Sequence, residues 1–107
     1  MFARLVEAKA KPGKRDEITG ILTNDLLPVV KKQRGFVDLV GLASDTDPNG
    51  GGGLSLWEDK SEAERFYQSD EYASIMERVK PLVEEMKVHT FNVTISTFHK
   101  IAAARGA

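Results

Sequence analysis

Between Leu54 and Tyr67 the sequence changes period within a few residues, and that change limits the possible folds more than any other feature. Leu54 and Leu56 alternate with Ser55, the pattern of a short strand ending at Trp57. Asp59 then opens helix chemistry. With Glu62 it fits a capping box, in which the Asp accepts from an orphan N–H and the Glu reaches back to the cap. Ala63, Phe66 and Tyr67 follow at helical spacing. The single tryptophan therefore stands where a strand gives way to a helix, a corner that commonly walls a pocket.

The remaining segments alternate in the same way. Phe2 to Lys9 reads as a strand, with apolar groups on both parities: Phe2, Val6 and Ala8 on one, Ala3 and Leu5 on the other. Pro12-Gly13 marks a turn. From Lys14 a helix follows, with Ile18, Ile21, Leu22, Leu26, Val29 and Val30 on one stripe. Pro28 lacks an N–H and crowds the carbonyl of Asn24, which predicts a kink, and Gly35 predicts a stop. Phe36 to Ala43 is a second strand, again apolar on both parities. Ser44 to Gly53 reads as loop because Asp-Thr-Asp-Pro-Asn and four glycines hold regular structure poorly. The helix after Asp59 is expected to break near Ser69-Asp70 and resume with Tyr72, Ile75, Met76, Val79, Leu82, Val83 and Met86 on one stripe, with Pro81 a second kink or an end. Val88 to Lys100 reads as the last and longest strand, and residues 101–107 as a flexible tail.

The order strand, helix, strand, strand, helix, strand predicts an α+β ferredoxin-like βαββαβ domain. Its four-stranded antiparallel sheet would carry both helices on one face. At 107 residues the chain is expected to be a single domain. Because both parities of three strands are apolar, the helix-free sheet face calls for a cover, and a second copy is the simplest one. The expected partner is thus the same chain, in a homodimer closed face to face.

Composition removes several functional classes. A net charge of −1 supplies no long-range field for nucleic acid or an anionic membrane. No cysteine is present, which excludes disulfides, thiolate nucleophiles and Cys-type zinc sites and fits a cytoplasmic location. No secretion signal is expected from the N-terminal residues, and no apolar run comes near the roughly 20 residues that span a bilayer.

Several segments together resemble the antibiotic biosynthesis monooxygenase (ABM) domain, a branch of the dimeric α+β barrel superfamily. They are Lys11-Pro12-Gly13-Lys14, Leu26-Leu27-Pro28, Arg34-Gly35-Phe36-Val37, Leu54-Ser55-Leu56-Trp57-Glu58 and Phe66-Tyr67-Gln68-Ser69-Asp70-Glu71-Tyr72. The resemblance runs from Phe2 to Lys100. It implies a dimeric α/β barrel and, for one branch, cofactor-independent monooxygenase activity on small quinol- or anthrone-like aromatics. The alternative is a non-catalytic dimeric domain that binds a small apolar or aromatic ligand. Members of the haem-degrading branch use an Asn on the first strand, and a Trp and a His on the second helix. With the family's strand-end Trp placed on Trp57, those helix positions hold Phe66 and Met76, and no Asn lies between Phe2 and Lys11. The resemblance therefore points away from haem. Of the anthrone-oxidising pocket residues only Trp57 carries over.

Oxidation without a cofactor needs a substrate acidic enough for its anion to reduce dioxygen, a dry pocket and stabilisation of that anion. Trp57, Phe66, Tyr67, Tyr72, Met76 and Phe91 are the candidate substrate-binding residues. Trp57, Arg4 and His89 are the catalytic candidates, Arg4 as the group that stabilises the anion and His89 as a base. The same aromatics equally suit an ordinary core under two helices. On one continuous strand His89 and His99 would lie about 33 Å apart, too far to share a metal. Asp45-x-Asp47-x-Asn49-Gly50 repeats the opening of a calcium loop, but the position for the bidentate Glu is Leu56. An Asx-rich hairpin loop, which its glycines would let act as a lid, fits better. No metal and no cofactor is expected.

Overall fold

A computed structural model describes residues 1–101. Its sheet is built on β1 (Phe2–Ala10), which pairs antiparallel with β3 (Gly50–Trp57) on one side and β4 (Val83–Asn92) on the other. The edge strand β2 (Phe36–Ala43) pairs with β3 and completes the order β2-β3-β1-β4. This is the ferredoxin-like arrangement predicted from the order of elements.

Between β1 and β2 one helical run is made of α1 (Arg15–Ile21), a π-helical turn (Leu22–Leu26) and α2 (Leu27–Val30). In the π turn the Leu27 N–H reaches back to the Leu22 carbonyl. Widening the helix by one residue relieves the crowding between the Pro28 ring and the preceding turn, so the disturbance expected at Pro28 takes the form of a π turn. Between β3 and β4 lie α3 (Lys60–Tyr67) and α4 (Asp70–Val79), then a 3₁₀ turn at Lys80–Leu82. Asp59 Oδ1 accepts from the Glu62 N–H at 2.9 Å, and Ser69 Oγ accepts from the Tyr72 N–H at 3.3 Å. Only half of the expected capping box forms. The Glu62 carboxylate turns instead to Arg65 at 2.9 Å and Arg34 at 3.5 Å. At Gly35, with φ of +80°, a Cβ would stand 2.7 Å from the Glu62 side chain, so this stop is both conformational and steric.

Two expected boundaries are corrected. Ser44–Gly53 is not all loop: Gly50–Gly53 form the first half of β3, flanked by β1 and β2, which supply backbone partners on both sides. Ladder pairing in a central strand overrides the low strand propensity of glycine, and the lid expected from these glycines is not available to them. The last strand is Val83–Asn92, not Val88–Lys100. Pro81 ends the helix, so Val83 and Met86, read as helical, lie in β4. The strand stops at Asn92 because its partner there is Phe2, where β1 begins. Of the residues beyond, the Val93 N–H still reaches the Met1 carbonyl at 2.8 Å. The expected tail lies outside the described residues, apart from Ile101.

Phe2, Leu26, Val30, Trp57, Ala63, Phe66 and Ile75 form the buried core between helices and sheet. Alternation puts Phe2, Arg4, Val6 and Ala8 of β1 on the helix-covered face with Trp57, Ser55, Gly53 and Gly51 of β3. The opposite face carries Leu5, Leu54 and Leu56 with the exposed Val40, Leu42 and Phe91. No helix among the described residues is long and apolar enough to cross a membrane.

Candidate functional site

The helices do not close completely on the sheet. Between them lies a cavity of about 380 Å³, floored by Val6, Ala8, Gly51, Gly53 and Ser55 and roofed by Ile18, Leu22, Leu26, Tyr72 and Met76. That volume lies in the range of small-molecule pockets, roughly 300–1,000 Å³. Its walls are mostly apolar and, among the described residues, hold no carboxylate, lysine or histidine.

Its polar groups gather at two places. At one, the Arg4 guanidinium lies 3.8 Å from the centre of the Tyr67 ring and 5.7 Å from that of Tyr72. The two tyrosines meet edge to face at 4.8 Å. Ser55 Oγ accepts from the Tyr67 hydroxyl at 2.9 Å and from the Trp57 indole N–H at 3.1 Å. The Arg4 guanidinium has no hydrogen-bond acceptor and no ion-pair partner among the described residues. A cation stacked on aromatic faces but left without an anion is poised to receive one. Arg4 and Tyr67 also separate this cavity from a smaller one of about 110 Å³ reaching Lys60 and Thr90.

At the other place Arg15 Nη1 donates to the carbonyls of Ser44, Asp47 and Gly50 at 3.0–3.2 Å. Asp47 Oδ1 accepts from the Asn49 N–H at 2.9 Å, an Asx turn within the segment that resembled a calcium loop. The hairpin loop is thereby tied to the start of α1.

Burial pushes the Tyr67 phenol above its ordinary pKa of 10.0, against smaller opposing effects of Ser55 and Arg4. Tyr67 is accordingly a hydrogen-bond donor at neutral pH, not a base. A group that holds its proton more tightly when folded contributes stability that is complete below pH 10.0 and is lost as pH rises through the elevated value. Alkaline melts should show this. Tyr67→Phe is expected to lose less stability above pH 10 than the parent chain, and parallel curves would contradict it.

The structure brings Arg4, Tyr67, Tyr72 and Met76 to the cavity. It does not bring the others there. Trp57 and Phe66, at 0% and 1% exposure, lie in the core behind the wall. Phe91 and His89 alternate onto the opposite sheet face, where His89 Nε2 is 3.4 Å from Glu7 Oε2. His99 leaves the sheet, its backbone N–H bonded to Ser96 Oγ. Sequence reasoning missed the glycine floor and Arg15. Extending the two-residue period of Trp57 and Ser55 backwards would have placed Gly53 and Gly51 on the cavity side; no local signal marked Arg15.

The sequence matches the family described as antibiotic biosynthesis monooxygenase over residues 1–78. No curated protein matches it. Among solved structures the fold resembles SnoaB, a cofactor-independent oxygenase from Streptomyces nogalater, with a TM-score of 0.80 at 12% identity over 90% of this chain and 95% of that one. It also resembles NE2512, a protein of unknown function from Nitrosomonas europaea (TM-score 0.76, 18% identity, 90% and 91% covered). A third likeness is to a conserved protein from Methanosarcina mazei (TM-score 0.76, 19% identity, 85% and 91% covered).

Proposed function

Because this chain belongs to the antibiotic biosynthesis monooxygenase family, we propose that it oxidises a small acidic aromatic, of the quinol or anthrone type, with dioxygen and no cofactor. The observation that carries this reading is the Arg4 guanidinium, stacked on Tyr67 and without an ion-pair partner among the described residues, at one end of an apolar cavity. The cofactor-independent chemistry of SnoaB, which shares the fold, supports it.

For an anthrone-type substrate, a CH₂ beside the ring system loses a proton and the resulting enolate reduces dioxygen. The two combine as a hydroperoxide, and loss of water leaves a carbonyl. One oxygen atom ends in the product and the other in water. Arg4 lowers the energy of the enolate, and the apolar walls exclude bulk water from it. Among the described residues no carboxylate or histidine lines the cavity, so on this reading the substrate ionises through its pairing with Arg4.

Oxygen uptake against a panel of hydroquinones and anthrones tests the reading, with consumption above the uncatalysed rate for at least one compound as the expected result. Uptake at the uncatalysed rate throughout would favour the second reading, a non-catalytic domain that holds a small aromatic ligand in the same cavity. The observation on that side is a cavity whose described lining is mostly apolar and includes no carboxylate or histidine.

Assembly belongs to the same proposal. Val40, Leu42 and Phe91 stand 40–52% exposed on the sheet face opposite the helices, beside Leu5, Leu54 and Leu56. Two such faces brought together would bury one another's apolar rows. Sedimentation at micromolar concentration is expected to give the mass of two chains, and Leu54→Asp that of one. A single-chain mass for the parent protein would remove the dimer.

A further inference from the structure

The geometry assigns to Gly53 and Gly41 the role of setting how long a guest the cavity accepts, an inference that rests on reading the cavity as the ligand site. The glycines of the hairpin are not equivalent. A Cβ on Gly51 would stand 2.6 Å from the Leu42 carbonyl oxygen, and one on Gly52 would run into the Val6 carbonyl oxygen. Backbone closes both positions to any side chain. Gly53 is different: among the described residues the nearest neighbours of its Cβ would be the Val40 carbonyl oxygen at 3.9 Å and Leu39 Cδ1 at 4.0 Å. At Gly41, its cross-strand partner, a Cβ would meet nothing within 4 Å among the described residues.

Neither Gly53 nor Gly41 has a positive φ. Glycine weakens a strand interior, and a β-branched residue would suit either position better. Local structure therefore gives no reason for glycine at these two places. What they do is leave empty a part of the cavity that both of them line.

Their position relative to the cation gives that space a meaning. Ser55 is the partner of Arg4 across the sheet, and Gly53, two residues before Ser55, lies on the same face about 7 Å away along the strand. A single-ring anion held at Arg4 stops near the Ser55 level. A fused second or third ring continues over the Gly53 and Gly41 peptides, where a flat face meets backbone with no side chain between. A valine at either position would occupy that space and leave the Arg4 end untouched.

Titration calorimetry with benzoate and with anthraquinone-2-carboxylate, on the parent chain, Gly53→Val and Gly41→Val, tests the assignment. Expected are binding of both anions by the parent, a loss of roughly tenfold or more for the three-ring anion in each variant, and benzoate affinities within roughly twofold. Gly53→Ala should fall between, with melting temperatures unchanged or raised. Variants that bind the three-ring anion as well as the parent does would overturn the role of the glycines while leaving the cavity as the ligand site. A parent chain that binds neither anion would overturn the site itself and this inference with it. Valine and alanine variants that melt well below the parent would show that the fold, not the guest, requires glycine there.

Discussion

Trp57→Ala is expected to lower the free energy of unfolding by roughly 3–5 kcal/mol, the cost of emptying a well-packed aromatic site. Small domains have only about 5–15 kcal/mol in total, so the variant should sit near its folding threshold. The effect is large because of position. The indole is fully buried, with Phe36, Phe66 and Tyr67 ring centres at 5.5–5.8 Å. Its N–H is one of two donors held by Ser55 Oγ. Trp57→Phe keeps much of the packing and removes that donor, so it should cost distinctly less. Urea unfolding of the three chains measures this, and an alanine variant within about 1 kcal/mol of the parent would mean that Trp57 is not a keystone of the core. A consequence for assays follows. Activity lost in Trp57→Ala would report a damaged core and not missing chemistry.

Arg4→Met is the cleaner probe of the reaction and carries the second large expectation. Methionine retains an unbranched stem against Tyr67 but has neither charge nor N–H groups. If Arg4 pairs with the substrate anion as charge develops, kcat should fall by about 10²-fold, the usual scale for removing a preorganised donor from an oxyanion. Stability should change little, since cation–π stacking contributes roughly 0.5–2 kcal/mol. Arg4→Lys keeps the charge without the flat fork that stacks on the ring, so it should recover only part of the rate. Oxygen uptake on the best substrate of the quinol and anthrone panel gives the readout. Parental kcat in Arg4→Met would leave Arg4 no part in the chemistry.

The readable parts of the fold were those governed by local period or local chemistry. The helix stripes from Ile18 to Val30 and from Tyr72 to Val79, the cap at Asp59 and the break at Ser69 are each recorded within a few neighbouring residues. The misread parts depended on partners distant in sequence. Gly50–Gly53 look like loop until β1 and β2 are placed beside them. Val93 to Lys100 look like strand until β1 proves to begin at Phe2, which leaves them no ladder. The site divides in the same way. Arg4, Tyr67, Tyr72 and Met76 were recognisable as residue types suited to a pocket, whereas Trp57 and Phe66 have the same chemistry and are core. Composition cannot separate a buried ring from a lining one.

By itself, the sequence determined the succession of strands and helices, because hydrophobic period, caps and turn residues act over a few positions. It also determined that the sheet has apolar residues on both faces, since alternation along a strand is a property of the backbone. Only the tertiary structure decided where the empty space lies and what borders it. That Arg4 stacks on Tyr67 at the edge of a cavity, that Arg15 ties down the hairpin loop, and that Gly53 and Gly41 line that cavity all depend on contacts between segments far apart in the chain. Such contacts exist only once the strands are in register, and register is a property of the whole sheet.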